Sequence, residues 1–374
     1  MKQEEYIEYI AEKNYLKFYE LGHAVAGNNG PHGHKDTPVR NTAHYLIIYG
    51  YLYKKYEDKK YLDICKKFAN YLCDIQNKSK SGAIECMVSD TFDHLNGLIG
   101  QGWAIEALLY YYEITKDKRC LGVAKSIFFS QKYDRELHLW HRVELDGRDI
   151  GIDTTFNHHV WFAACSFKLA KYCNNSSIDE MISDFLTNGC DRDFHIYDDG
   201  LLHHTVNLNI SSMKKERIKR TIKYCLSPVK SLNPRKLDPK YIERAYHIFD
   251  IYGFCILNER YGHLPIFASM KYKQAMKFAM DINSYNANNG VFSYIKKGSP
   301  FNVFSYSYNS PAFEYPYISF VNGINDEAIF DKLYLIQKQL MADDSTGLFS
   351  KNNPDIETWN ARTYEIIRYL EKVN

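Results

Sequence analysis

One pattern recurs along this chain about every 60 residues. A helix apolar on most sides is followed by a short polar turn and a returning helix with a single apolar stripe. This constrains the fold more than composition does. A helix that is apolar all round has to be enclosed by other helices, whereas a striped helix keeps one side in water. After a first amphipathic helix over residues 3–21, with Tyr6, Ile7, Ile10, Leu16 and Tyr19 at helical spacing, Asp36-Thr37-Pro38 opens an apolar helix. That helix carries Tyr45, Leu46, Ile47, Ile48, Tyr49 and Leu52, and its striped partner runs from Tyr61 to Ile75. The pair repeats from Asp93 to Thr115 with a turn at Lys116-Asp117-Lys118, and from Asp153 to Tyr172 with a turn at Asn174-Asn175-Ser176. It repeats again from Tyr241 to Arg260 with a turn at Gly262-His263, and from Ala312 to Val321 with a turn at residues 323–326. A last helix begins near Thr358.

Glycine turns followed by short apolar segments precede several of these helices, at Gly82, Gly200, Gly290 and Gly347, and read as local β-hairpins. About twelve helices in six hairpins that close on themselves predict an all-α (α/α)6 toroid, with the apolar helices inside and the striped ones outside. The expected organisation is one domain over residues 1–374, with an insertion at 190–236 bordering the cleft where the repeat interval lengthens. The chain's 45% apolar content suffices for such a core, and its net charge of +2 gives no nucleic-acid or membrane footprint. No apolar run reaches membrane-spanning length, and the amino terminus lacks the apolar stretch of a signal peptide. The nine cysteines form no CxxC pair, which predicts reduced thiols and a cytoplasmic protein.

In a toroid the loops entering the inner helices gather at one end. Those entries carry Arg40, Asn41 and His44; Asp90, Asp93, His94 and Asn96; Asp153, Asn157 and His158; Arg244, Tyr246 and His247; Glu314, Tyr315 and Tyr317; Trp359, Asn360 and Arg362. Polar groups in a greasy ring need partners, because burying them unpaired is costly. A polar cleft lined by rings suits a sugar, whose C–H faces stack on aromatics while its hydroxyls meet amides and charges. The stretch Asp153-Thr154-Thr155-Phe156-Asn157-His158-His159-Val160-Trp161 concentrates these types at one helix mouth. Asp153 also reads simply as a helix cap, as does Asp93, and His158 and His159 read equally as core histidines.

Asp153 with Asn157 and the following Trp161-Phe162-Ala163, preceded at matching spacing by Asp93-His94-Leu95-Asn96-Gly97, resembles the six-hairpin glycosidases, in particular the unsaturated glucuronyl hydrolases. Arg244 with Ile251-Tyr252-Gly253-Phe254 is similar to them as well. That resemblance implies a hydrolase acting on an acidic, uronate-type oligosaccharide, with Asp153 as general acid/base and Asp93 as its partner. Asn157-His158 with Trp161, and Glu243-Arg244-Ala245-Tyr246-His247, also resemble the alginate- and heparin-type toroid lyases. This second resemblance implies a lyase or uronate epimerase in which Asn157 and His158 neutralise a carboxylate and Tyr246 donates a proton. A non-catalytic glycan-binding toroid is the third reading.

On these readings Asp153, Asp93, His158 and Tyr246 are the candidate catalytic residues. Asn157, Trp161, His94, Arg40, Arg244, His247, Tyr315, Trp359 and Arg362 are the candidate sugar contacts. The partner is an oligosaccharide or polysaccharide, with no nucleic acid or membrane, and the chain acts as a monomer or homodimer. No cofactor is expected. No metal is expected either, because His32/His34 and His203-His204 lack completing ligands at suitable spacing. Burial under Trp161 and the like charge of Asp93 are expected to raise the Asp153 pKa, as a general acid requires.

Overall fold

The computed structural model describes residues 2–89, 92–206, 240–281, 304 and 308–373. Asp90, the hairpin expected at Gly290, and residues 207–236 of the expected insertion lie outside the described residues.

The helices follow from the sequence pattern. They are α1 (Gln3–Leu21), α2 (Val39–Tyr56), α3 (Lys59–Gln76), α4 (Gly97–Thr115), α5 (Lys118–Ser130), α6 (Phe156–Cys173) and α7 (Ser176–Asp184). Beyond them come α8 (Tyr241–Tyr261), α9 (Met270–Met280), α10 (Pro311–Val321), α11 (Glu327–Met341) and α12 (Ile356–Arg362). The last continues through a tighter turn, Thr363–Ile366, into a final helical segment, Ile367–Val373. In α4 every residue from Gly97 to Tyr111 is buried, whereas α3 buries only a stripe that includes Ile64, Phe68 and Leu72.

The turn between inner and outer helix has a repeated construction. Glu57, Lys116 and Asn174 end α2, α4 and α6 in the left-handed region, at φ 55°, 59° and 46°. The next residues, Asp58, Asp117 and Asn175, then cap α3, α5 and α7 by accepting a first-turn N–H. The chain thereby reverses within two residues.

The inner helices pack in chain order, α2 on α4, α4 on α6, α6 on α8 and α8 on α10. The C-terminal segment then packs on both α10 and α2, so the ring closes. Each outer helix packs on its own inner helix, and α1 fills the outer position beside α2 and the C-terminal segment. Buried Tyr6 of α1 ties the seam: its hydroxyl donates to Asn360 at 2.6 Å and accepts from Phe349 N at 3.0 Å.

Between α5 and α6 the chain forms a three-stranded antiparallel sheet, β1 (Tyr133–Asp134), β2 (Leu139–Val143) and β3 (Asp149–Ile152). Its partners include Tyr133 with Trp140 and His141 with Ile152. Asp146-Gly147, at the β2–β3 turn, is a standard hairpin signal. Isolated bridges Ile196–Leu202 and Ala342–Phe349 form at the glycine turns of residues 200 and 347. Among the described residues no helix is long and apolar enough to cross a membrane.

Candidate active site

The two helices expected to start at aspartates begin three or four residues later, at Phe156 and Gly97. Asp93 and Asp153 therefore lie in the entry loops. Asp153 is a cap, but chiefly of the neighbouring inner helix: its Oδ2 accepts from Leu98 N, in the first turn of α4, at 3.0 Å. The same oxygen sits 2.8 Å from His158 Nδ1, and Oδ1 accepts from Thr155 N at 3.0 Å. Three donors thus converge on one buried carboxylate. Asp93 is held alike: Oδ1 accepts from Leu95 N and Gly97 N, and Oδ2 pairs with Arg142 at 2.7 Å.

Arg142, on β2, belongs to neither entry loop, and no sequence spacing pointed to it. Its charge acts on both aspartates. Burial pushes the Asp153 carboxyl up, but neighbouring His158 and then Arg142 outweigh it and hold the group well below the usual carboxylate range. The expected upward shift is therefore reversed, because His158 and then Arg142 favour the anion more than burial disfavours it.

Gly97 is the surface on which this pair rests. It adopts φ +61°, and a methyl group on it would fall 2.6 Å from Asp153 Oδ2 and closer still to His158 Nδ1. Only a residue without a side chain allows the contact. With Nδ1 on Asp153, His158 keeps its other ring nitrogen for the mouth, where the side chain is 23% exposed.

Tyr246, in the second turn of α8, reaches the same end. Its hydroxyl lies 3.0 Å from His32 Nε2, and its ring stands among His204, Phe304 and Tyr308. The two sides of the mouth are joined by Asn29. It accepts from Arg40 and from Tyr308 and donates to Asn96, the residue before Gly97.

Asn157, buried on α6, interacts with Asp250 of α8. Asp250 is 1% exposed. Burial raises its carboxyl well above the usual range, and the interaction with Asn157 offsets this only in part. An acid in the middle of an apolar helix carries no local signal in the sequence.

Several expected sugar contacts are committed to the protein itself. Arg40 pairs with Asp36 and lies over the Trp103 ring. Arg362 binds Glu314, Glu365, Asn309 Oδ1 and the Tyr308 carbonyl. His247 bridges the Leu202 N–H and the Ala275 carbonyl. Trp161 donates to the Phe249 carbonyl and stacks on Phe249 and Tyr252. Trp359 packs with Tyr6, Phe313 and Phe349, and Tyr315 packs towards Phe330 of α11. Aromatic and basic residues at helix entries served the ring's own packing there. His159, which the sequence left open, is a bracket between the Asp153 carbonyl and the Trp140 N–H. His94 stays partly exposed beside Glu144, and Arg244 is half-buried in the first turn of α8.

No family model matches the chain. Archaeal glycosylation protein Q of Haloferax volcanii is 27% identical over 357 residues, 93% of this chain and 92% of that protein. Among solved structures, cellobiose 2-epimerase from Bacillus thermoamylovorans superposes with a TM-score of 0.62 at 12% identity, over 96% of this chain and 98% of its own. An unsaturated glucuronyl hydrolase specific for heparin superposes with a TM-score of 0.61 at 12% identity, over 99% and 97%. The fold is the (α/α)6 toroid. Sequence repetition and the closed ring of inner helices arrive at it independently of these likenesses.

Proposed function

We propose that this chain is a carbohydrate-active enzyme that moves a proton at a sugar carbon, as an epimerase or isomerase does. The carrying observation is the Asp153–His158 pair. Asp153, with three donors and a depressed pKa, has no proton to give. It is fitted to orient His158 and to stabilise the imidazolium formed when the free ring nitrogen takes a proton. In this reading the sugar opens to its aldehyde, and His158 removes the hydrogen from the neighbouring carbon. The electron pair moves onto the carbonyl oxygen as an enediolate. Return of a proton to the other face of that carbon gives the epimer. Tyr246, with His32 at its hydroxyl, is the proposed second proton carrier. The likeness to a cellobiose epimerase supports this reading, as does a relative named for glycosylation.

A hydrolase is the second reading, favoured by Asp250. That buried carboxyl is raised well above its ordinary range, the direction a general acid requires. The likeness to a glucuronyl hydrolase supports it too.

Incubation of the protein in D2O with neutral and uronate mono- and disaccharides separates the two. Deuterium at the carbon beside the carbonyl, with no bond cleavage, is the expected result. Release of monosaccharide without deuterium incorporation overturns the proton-transfer reading in favour of hydrolysis. Asp153→Asn should fold and lose roughly 10²–10⁴-fold in exchange rate. Full exchange in that variant removes the pair from the reaction.

A further inference from the structure

From the proposed proton carrier outward, the rim of the mouth carries a row of rings. It starts at Tyr246, whose hydroxyl meets His32. The His32 and His34 rings follow, 6.5 Å apart and nearly parallel at 15°. Phe92 comes next, its ring 4.4 Å from His34. Tyr246 anchors the row from inside the ring, and His32 beside it is already exposed. Tyr246 is buried and His34 is half-buried, but Phe92 is 56% exposed and its neighbour Val88 is 58% exposed.

These exposed side chains sit on a built frame. Val88 N donates to the Lys35 carbonyl, an antiparallel bridge joins Asp36 to Met87, and Phe92 N donates to Ser89 Oγ. Phe92 directly precedes Asp93, which anchors Arg142 and the Gly97 turn. The exposed ring is thus carried by the residue before Asp93, whose carboxylate holds Gly97, the glycine against which Asp153 and His158 rest. A phenyl face left in water next to a catalytic mouth, with an imidazole against it, suits the apolar C–H face of a pyranose. The His34 and Phe92 rings touch each other and so present one platform, of the kind on which aromatic side chains stack flat ligands.

We infer that Phe92 and His34 form an outer sugar subsite, so that the substrate is an oligosaccharide reaching from the reacting sugar at His158 across the rim, not a free monosaccharide. This rests on the sugar-processing reading above. The occupant is recognised by stacking, not by charge.

The test is calorimetric binding of mannose, mannotriose, glucose, cellobiose and cellotriose to the full chain and to Phe92→Ala, a surface variant that leaves Asp93, Arg142 and His158 in place. At least one trisaccharide should bind the parent 10-fold or more tightly than its monosaccharide, and Phe92→Ala should remove most of that advantage without weakening the monosaccharide. Phe92→Tyr should restore it. Trisaccharides no tighter than monosaccharides, an advantage that survives Phe92→Ala, or no binding of any sugar each overturns the subsite. Deuterium exchange on a monosaccharide reads the reaction separately, so the subsite can fail while the proposed chemistry stands.

Discussion

At the scale of single residues the site is decided by Gly97. The Asp153–His158 pair occupies the space a side chain would need, and the backbone there is left-handed. Gly33 provides an internal control, since it has φ +68° with nothing within 4 Å of an added methyl. Both Gly97→Ala and Gly33→Ala should cost about 1–2 kcal/mol from backbone strain. Only Gly97→Ala should also displace the pair and reduce turnover by about 100-fold or more, as angstrom-scale misplacement does. Urea unfolding and initial rates on both variants check this. Equal activity in the two would show that the contact at Gly97 is not needed for turnover. Asp153 and Asp93 were legible in the sequence as helix-entry acids, because cap residues leave a local signature. Asp250 and Arg142 were not, because their partners Asn157 and Asp93 come from other elements.

At the scale of elements, the entry to α2 carries a charge cost. Asp36 is buried beside Arg40 at 3.4 Å, yet burial dominates and pushes its carboxyl up to about 6. Its folded pKa lies above the unfolded value of about 3.9, so the folded state holds the proton more tightly. Its contribution to stability is greatest below about pH 4 and declines as pH rises to about 6, by on the order of 3 kcal/mol across that window. Asp153 has the opposite sign. Its depressed pKa contributes stability above the ordinary carboxylate range that is lost as pH falls below it. Asp36→Asn should therefore flatten the fall in stability between pH 4 and pH 6, read from urea midpoints. An unchanged slope would assign the loss to other groups. The hairpin β2–β3 matters at this scale for a different reason: it brings Arg142 to the loop before α4, a contact between residues 49 apart in sequence.

At the scale of the whole molecule, stability depends on closure of the ring. Tyr6 joins α1 to the C-terminal segment through Asn360 and Phe349, 354 and 343 residues away. Tyr6→Phe keeps the ring packed against Phe349 and Trp359 but strands a buried N–H and a buried amide oxygen. A loss of about 1–3 kcal/mol is expected. Unfolding should remain a single transition if the seam is cooperative with the rest, which calorimetry reads directly. A separate low-temperature transition confined to the first and last helices would argue that the seam melts alone.

What the sequence by itself determined is the set of helical hairpins, their inner or outer placement and their turns. Each of these rests on neighbours within a few residues: the 3.6-residue period, the Asp or Asn cap after α2, α4, α6 and α10, and the apolar surround of α4. What only the tertiary structure decided is the chemistry. Asp153 is an anion because Leu98 N, His158 and Arg142 reach it from three elements, and Arg40 and Arg362 meet carboxylates before they meet a sugar. A titratable group's state depends on every charge and dipole within a few ångströms, whatever their separation along the chain. No local pattern encodes that sum.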